Sequence, residues 1–249
     1  MLVFTSRTMS TTSTVVYDGG HALLVDPAWT AEELEAIADE LAARNLKVEL
    51  GWATHAHHDH LLWHPRFGPA PRWATSRAAD VAAEHLNQLR AALEPTLPAG
   101  LRSLAGAVQA YDGARLPWRG TVAEVVAHQA HAPGHGALWL PGPGVLLAGD
   151  MLSEQEIPLC AETGIEAYRD GLDQLAPYVA RARVLIPGHG TPALASTPDS
   201  PIARLSADRA YLDALAAPAT AGDPRLGDAP DWLLAEHEAN VAAARDAQA

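Results

Sequence analysis

The sequence predicts an α/β protein, and three observations carry that expectation. Short apolar runs of strand length alternate with longer segments whose apolar residues recur at helical spacing. His21–Val25, a helix opened at Thr30, and Val48–Ala53 make a strand–helix–strand unit. Several apolar runs end in His or Asp, so polar side chains would sit in loops held by a rigid sheet.

In chain order, residues 2–9 and 12–17 are rich in Thr, Val and Phe and read as strands, and Asp18-Gly19-Gly20 is a turn signal leading into His21–Val25. Thr30-Ala31-Glu32-Glu33 has the form of a capping box, with Leu34, Ile37, Ala38 and Leu41 following on one helical face as far as Asn45. Val48–Ala53 is the next strand. Pro65–Pro71 is a loop, Arg72–Thr75 a short strand, and a helix runs from Ser76 to about Leu93. Residues 95–120, punctuated by Pro and Gly, read as a connection with one helical turn near Leu101–Ala105. Strands follow at Thr121–His131, Ala137–Leu140 and Val145–Ala148. A second capping box, Thr163 with Glu166, opens a helix to about Ala182, and Val184–Ile186 is a strand. Helices over 201–217 and 230–247 flank a joint at Pro218–Pro230. The whole is expected to be a single domain, 1–249, ending in C-terminal helices over about 200–248.

With 249 residues, 48% of them hydrophobic, the chain can bury a core without disulfides. The formal net charge of −13 disfavours a broad nucleic-acid surface, which needs Lys and Arg against phosphate. Cys160 is the single cysteine and reads as a buried apolar residue. The N-terminus lacks a secretory h-region, and no apolar run is long enough for a membrane span, so a soluble, cytoplasmic protein is expected.

The chemistry concentrates in Thr54–His60, THAHHDH. His55 and His57, two apart, point the same way in extended backbone and can grip one ion, while Asp59 and His60 can reach a second. Three further candidates close apolar or turn segments downstream: His135 in Ala132-Pro133-Gly134-His135-Gly136, Asp150 after Leu146–Gly149, and His189 in Ile186-Pro187-Gly188-His189-Gly190.

The ordered set THAHHDH, PGHG, GD and PGHG resembles the metallo-β-lactamase-fold hydrolase superfamily, and Leu23-Leu24-Val25-Asp26-Pro27 matches its first motif. The resemblance runs from about Val15 to Thr191 and implies a four-layered αβ/βα sandwich. It implies a first ion on His55, His57 and His135, a second on Asp59, His60 and His189, and Asp150 bridging the two. Asp26 is implied to support the site without touching metal. Two divalent ions are the expected cofactor. Zn²⁺ leads, and Fe or Mn are also suited by imidazole and carboxylate donors. A hydroxide shared by the ions would attack an electrophilic centre, with Asp59 shuttling a proton.

Asp150 resembles the glyoxalase II and lactonase-like branch, where true β-lactamases carry Cys or Ser. A small-molecule ester, thioester or lactone is therefore the expected substrate. The tail basic residues Arg204, Arg209 and Arg225 match no glutathione pattern. Alternatives are a phosphodiesterase or nuclease, which would need Arg66, Arg72 and Arg77 near the metals, a mononuclear persulfide-dioxygenase-like enzyme, and a non-enzymatic metal binder. His58, at the motif's variable position, reads as facing solvent or backing the site. His64, His128 and His131 read as structural, and Trp29, Trp63, Trp118 and Trp139 as core before pocket. Ser153, Glu154 and Glu156 follow Asp150 and are weaker candidates for reaching substrate. Specificity is expected from residues 61–75, 95–120 and 151–165.

Overall fold

A computed structural model describes residues 1–215 and 222–247. The first sheet holds β1 (Leu2–Thr5), β2 (Thr12–Asp18), β3 (His21–Val25), β4 (Lys47–Trp52), β5 (Arg72–Ala74) and β6 (Gln109–Ala110), side by side in chain order. The second holds β7 (Glu124–His128), β8 (His135–Leu140), β9 (Val145–Gly149), β10 (Val184–Pro187) and β11 (Ala193–Leu194), also in sequential order. β1–β3 and β7–β9 are antiparallel, while β3–β6 pair in parallel, as do β9 and β10.

The strand period of two sorts the side chains into layers. Leu23 and Val25 of β3 face Leu138, Leu140, Val145 and Leu147 of the other sheet and fill the space between the sheets. Their alternating neighbours Ala22 and Leu24 face outward, where α1 (Ala31–Ala43) covers them with Leu34, Ile37, Ala38 and Leu41. On the far side, Ala137, Trp139, Leu146 and Ala148 face α5 (Ile165–Val179), α6 (Pro201–Leu215) and α7 (Asp231–Asp246). Helix, sheet, sheet, helix is the sandwich that the motifs imply. Among the described residues no helix is long and apolar enough to cross a membrane.

The Thr30 capping box forms: Thr30 Oγ1 accepts from Glu33 N at 3.2 Å and Glu33 Oε2 from Thr30 N at 3.1 Å. Other expectations are corrected. The helix expected over Ser76–Leu93 divides at His85 into α2 (Ser76–Glu84) and α3 (Leu86–Ala92). The turn expected at Leu101–Ala105 is α4 (Ala99–Arg102), and the connection also contributes β6. Thr163 caps nothing: Gly164, at φ 87°, takes the cap position of α5, and Thr163 Oγ1 is buried without a hydrogen-bond partner. β1 stops at Thr5, and Met9 and Ser10 have positive φ. The strand expected over Thr121–His131 shortens to β7, leaving His131 in a loop with φ 64°. Residues 216–217 of the expected helix end and 218–221 of the joint lie outside the described residues.

Candidate metal centre

The carboxyl ends of β4, β7, β9 and β10 meet at one edge of the sandwich, where loops rather than ladder bonds carry the side chains. β4 runs into Thr54–His60, β7 into His131, β9 into Asp150 and β10 into His189. Two groups of donor atoms form there, each lying within 4.8 Å of one another: His55, His57, His131 and Asp150, and Asp59, His60 and His189.

Asp150 Oδ2 lies 3.3 Å from His55 Nε2 and 3.3 Å from His131 Nε2. The same carboxylate reaches the second group, Oδ1 at 3.2 Å from His60 Nε2 and Oδ2 at 3.2 Å from His189 Nε2. Asp59 Oδ2 lies 3.2 Å from both His60 Nε2 and His189 Nε2. Six of the expected seven residues are thus brought together.

His135 is the seventh, and it stands elsewhere. It begins β8, opposite His128 in the ladder, and its ring stacks between those of His128 and His55 at centroid distances of 4.5 and 5.1 Å. Its Nε2 accepts Asp150 N–H at 3.2 Å, so that lone pair is already used. His131, read from sequence as structural, occupies the expected place, with Nε2 3.1 Å from His57 Nδ1. A signal for this was present. Gly136–Leu140 continues without a polar break, which puts His135 in the strand and leaves His131 before the Pro-Gly turn as the loop residue.

The outward nitrogens of four imidazoles meet acceptors, so each carries its hydrogen there, and in the neutral ring the inward nitrogen is the one left with a lone pair. His60 Nδ1 donates to Asp26 Oδ2 at 3.0 Å, and His189 Nδ1 to the Met9 carbonyl at 2.7 Å. His57 Nε2 donates to Glu162 Oε1 at 2.9 Å. Thr54 Oγ1 spends its hydrogen on Asp26 Oδ2 at 2.6 Å, so at 3.0 Å it accepts from His55 Nδ1. Asp26 also accepts Thr54 N–H at 2.8 Å and so braces the first loop without joining either donor group. Thr11 Oγ1 donates to Asp59 Oδ2 at 3.0 Å. Met9, Thr11 and Glu162 went unread in the sequence, because each acts from a segment with no His or Asp motif.

Burial is near complete: His55 and His135 are fully buried, and His57 is the most open of the site's imidazoles, its side chain 29% exposed. Burial raises the Asp59 and Asp150 carboxyls, yet the surrounding imidazoles outweigh it and hold both well below the usual range. Burial depresses His60 and His189, and the Asp150 and Asp59 carboxylates more than reverse this. His55, His131 and His135 lie below the ordinary value, chiefly through burial. Burial also lifts Glu156, whose Oε1 is 3.8 Å from His189 Nδ1, to about 7.

Close approach is reserved for glycine at Gly188, where an added Cβ would overlap Asp150 Oδ1 and lie 2.8 Å from Gly149 C. The C-terminal helices hold the loops from below. Arg225 Nη1 donates to Asp208 Oδ1 at 2.6 Å and to the Glu156 carbonyl at 2.9 Å. Asp208 Oδ2 accepts Leu152 N–H at 3.2 Å, and Arg204 Nη1 donates to the Thr191 carbonyl at 2.8 Å. Arg204 and Arg225 are therefore occupied inside the fold, and Arg209 pairs with Asp173 at its surface. Of the expected tryptophans, Trp63 and Trp139 are core, and Trp29 packs edge-on to His58.

The family model of the metallo-beta-lactamase superfamily matches residues 7–210, and the chain belongs to that superfamily. A metallo-beta-lactamase family protein from Thermus thermophilus is 26% identical, with 87% of this chain and 81% of that one covered at a TM-score of 0.61. A beta-lactamase domain protein from Burkholderia ambifaria is 20% identical, covering 86% of this chain and 74% of that one at a TM-score of 0.61. TTHA1623, solved in a di-iron-bound form, is 20% identical and covers 78% and 94% at a TM-score of 0.60. Superfamily membership and the paired His/Asp groups together support a metal-dependent hydrolase.

Proposed function

We propose that the protein is a dinuclear metal-dependent hydrolase of carboxylic esters, thioesters or lactones. The single observation that carries this reading is Asp150, one carboxylate within 3.3 Å of imidazole nitrogens in both donor groups.

The residues fit divalent cations by three tests. Ring nitrogens converge at 3.1 Å (His57 Nδ1 and His131 Nε2) and 3.4 Å (His60 Nε2 and His189 Nε2), as donors around a shared ion would. Tetrahedral ligands at zinc-like bond lengths stand about 3.3 Å apart, so the spacing suits such an ion. His55 Nε2 and Asp150 Oδ1 are buried without a hydrogen-bond partner. His55, His57, His131 and Asp150 would hold one ion, and Asp59, His60, His189 and Asp150 the other.

Bound there, a pair of divalent cations supplies a water of lowered pKa and polarises a substrate oxygen. The chain's own part is orientation and proton handling. Asp26, Thr54, Met9 and Glu162 lock the imidazole tautomers. Asp59 keeps Oδ2 against His60 and His189, which leaves its Oδ1, 4.0 Å from His58 Nδ1, as the atom to which proton uptake is assigned in this reading. Imidazole and carboxylate donors suit Zn²⁺ first, with Fe and Mn also served, and the di-iron form of TTHA1623 shows iron in one relative of this fold.

The phosphodiesterase alternative needed Arg66, Arg72 and Arg77 together. Arg66 pairs with Asp39 at 2.6 Å, and Arg72 lies over Trp63 with its guanidinium on the Leu104 carbonyl. Only Arg77 is left near the site. The test is metal analysis of the reconstituted protein followed by turnover on esters, thioesters, lactones and phosphodiesters. Two ions per chain with ester-type turnover is the expected result. One ion, or cleavage of phosphodiesters alone, would overturn the proposal.

A further inference from the structure

A cleft of about 440 Å³ runs away from the metal centre at its most open residue, His57. Its walls are α2 and α3 on one side and the Ala132-Pro133 turn with Glu162 on the other. Val81, Leu89 and Pro133 give it an apolar lining, and the volume suits a medium-length hydrocarbon chain.

Its charge is balanced, unlike that of the chain as a whole. The protein carries 30 acidic and 17 basic residues. Among the described cleft residues the one carboxylate, Glu162, is already bonded to His57 Nε2 at 2.9 Å. Arg77 is the one permanent cation there, and its partner is distant: Nη1 lies 3.9 Å from Glu84 Oε1, with the two side chains 51% and 59% exposed. A pair this open and this long contributes little, so the guanidinium is free to take a carboxylate from a ligand.

We infer that the cleft binds the acyl part of the substrate, and that this acyl part is an apolar chain bearing a carboxylate read by Arg77. The substrates would then be monoesters or monothioesters of dicarboxylic acids. The inference rests on the hydrolase reading. Apolar carbons would lie along Val81 and Leu89, with the scissile carbonyl at the His57 edge and the distal carboxylate on the α2 wall.

The test compares p-nitrophenyl acetate, p-nitrophenyl hexanoate and mono-p-nitrophenyl adipate on metal-loaded protein. Adipate should exceed hexanoate in kcat/KM by about tenfold, the order expected of one charge-assisted hydrogen bond. Arg77→Met should remove that preference and leave acetate unchanged. Ala92→Trp, a filling substitution at an exposed cleft position, should depress hexanoate and adipate severalfold and spare acetate. Calorimetry with adipic acid monoanilide gives a readout independent of turnover, and its affinity should fall in both variants. If none of the esters is cleaved, the hydrolase reading passes to the thioester and lactone panel, and the calorimetry still decides the cleft. If hexanoate equals adipate, or Arg77→Met leaves their ratio and the anilide affinity intact, the inference is overturned.

Discussion

Replacing Arg225 with methionine exposes how the C-terminal segment holds the loop after Asp150. The guanidinium is 7% exposed and its partner Asp208 1% exposed. It spans Asp208 Oδ1 at 2.6 Å, Asp223 Oδ2 at 2.8 Å and the Glu156 carbonyl at 2.9 Å. Methionine replaces the aliphatic stem but leaves Asp208 as an uncompensated buried carboxylate, at a cost of about 3–5 kcal/mol. For a chain of this length that corresponds to a Tm lower by roughly 6–20 °C. The sign with pH follows from Asp208. Burial pushes its carboxyl up to about 6 despite Arg225 beside it. An unfolded Asp titrates near about 3.9. The folded value is the higher one, so the favourable contribution of protonated Asp208 is fully present below the unfolded value and is lost as pH rises through the folded one. Without Arg225 the folded value climbs further, and the deficit is larger near pH 8 than near about pH 5. Thermal unfolding followed by circular dichroism at both pH values measures this. A Tm change under about 2 °C, or the same loss at both pH values, would refute the argument. Arg225→Met with Asp208→Leu should recover part of the single variant's loss, because the buried Asp208 charge is gone while the more open Asp223 still lacks its partner.

His131→Ala should lower bound metal from two ions per chain to one, whereas His135→Gln, which can still accept Asp150 N–H, should keep two; metal analysis of both variants separates the roles. Exhaustive chelation should lower Tm and re-addition of Zn²⁺ should restore it, since an ion bound only by the folded chain stabilises it by mass action. Gly188→Ala should cost about 1–3 kcal/mol by overpacking and weaken metal binding together, because the new methyl group needs the room that Asp150 Oδ1 occupies. Thr30→Ala should cost about 1 kcal/mol in chemical denaturation through loss of its bond to Glu33 N, with metal content unchanged.

Much of the fold was legible because its signals are local. The Thr30 capping box, the apolar runs of β3, β4, β8 and β9, and the helical face of α1 each need only neighbours in sequence to be read. The metal centre was legible where a motif sits in one loop, as in His55–His60, and where a strand visibly ends, as at Asp150 and His189. It failed at His131 and His135, four residues apart across a Pro-Gly turn, because the choice depends on where β8 begins. Thr163 failed for a related reason: Gly164 adopts a left-handed conformation that a residue pattern does not report. The tautomer-fixing partners Met9 and Glu162 were beyond reach in principle. Their separations of 180 and 105 residues from His189 and His57 exist only in the folded chain.

The split of donors between the two sheets has a consequence for synthesis. Residues 55–60 emerge early and already contain His55, His57, Asp59 and His60, but the carboxylate shared by both groups comes at Asp150 and the last imidazole at His189. A ribosome-bound chain short of that point holds only part of each donor group. Both donor groups are therefore complete only when the second sheet has formed against the first.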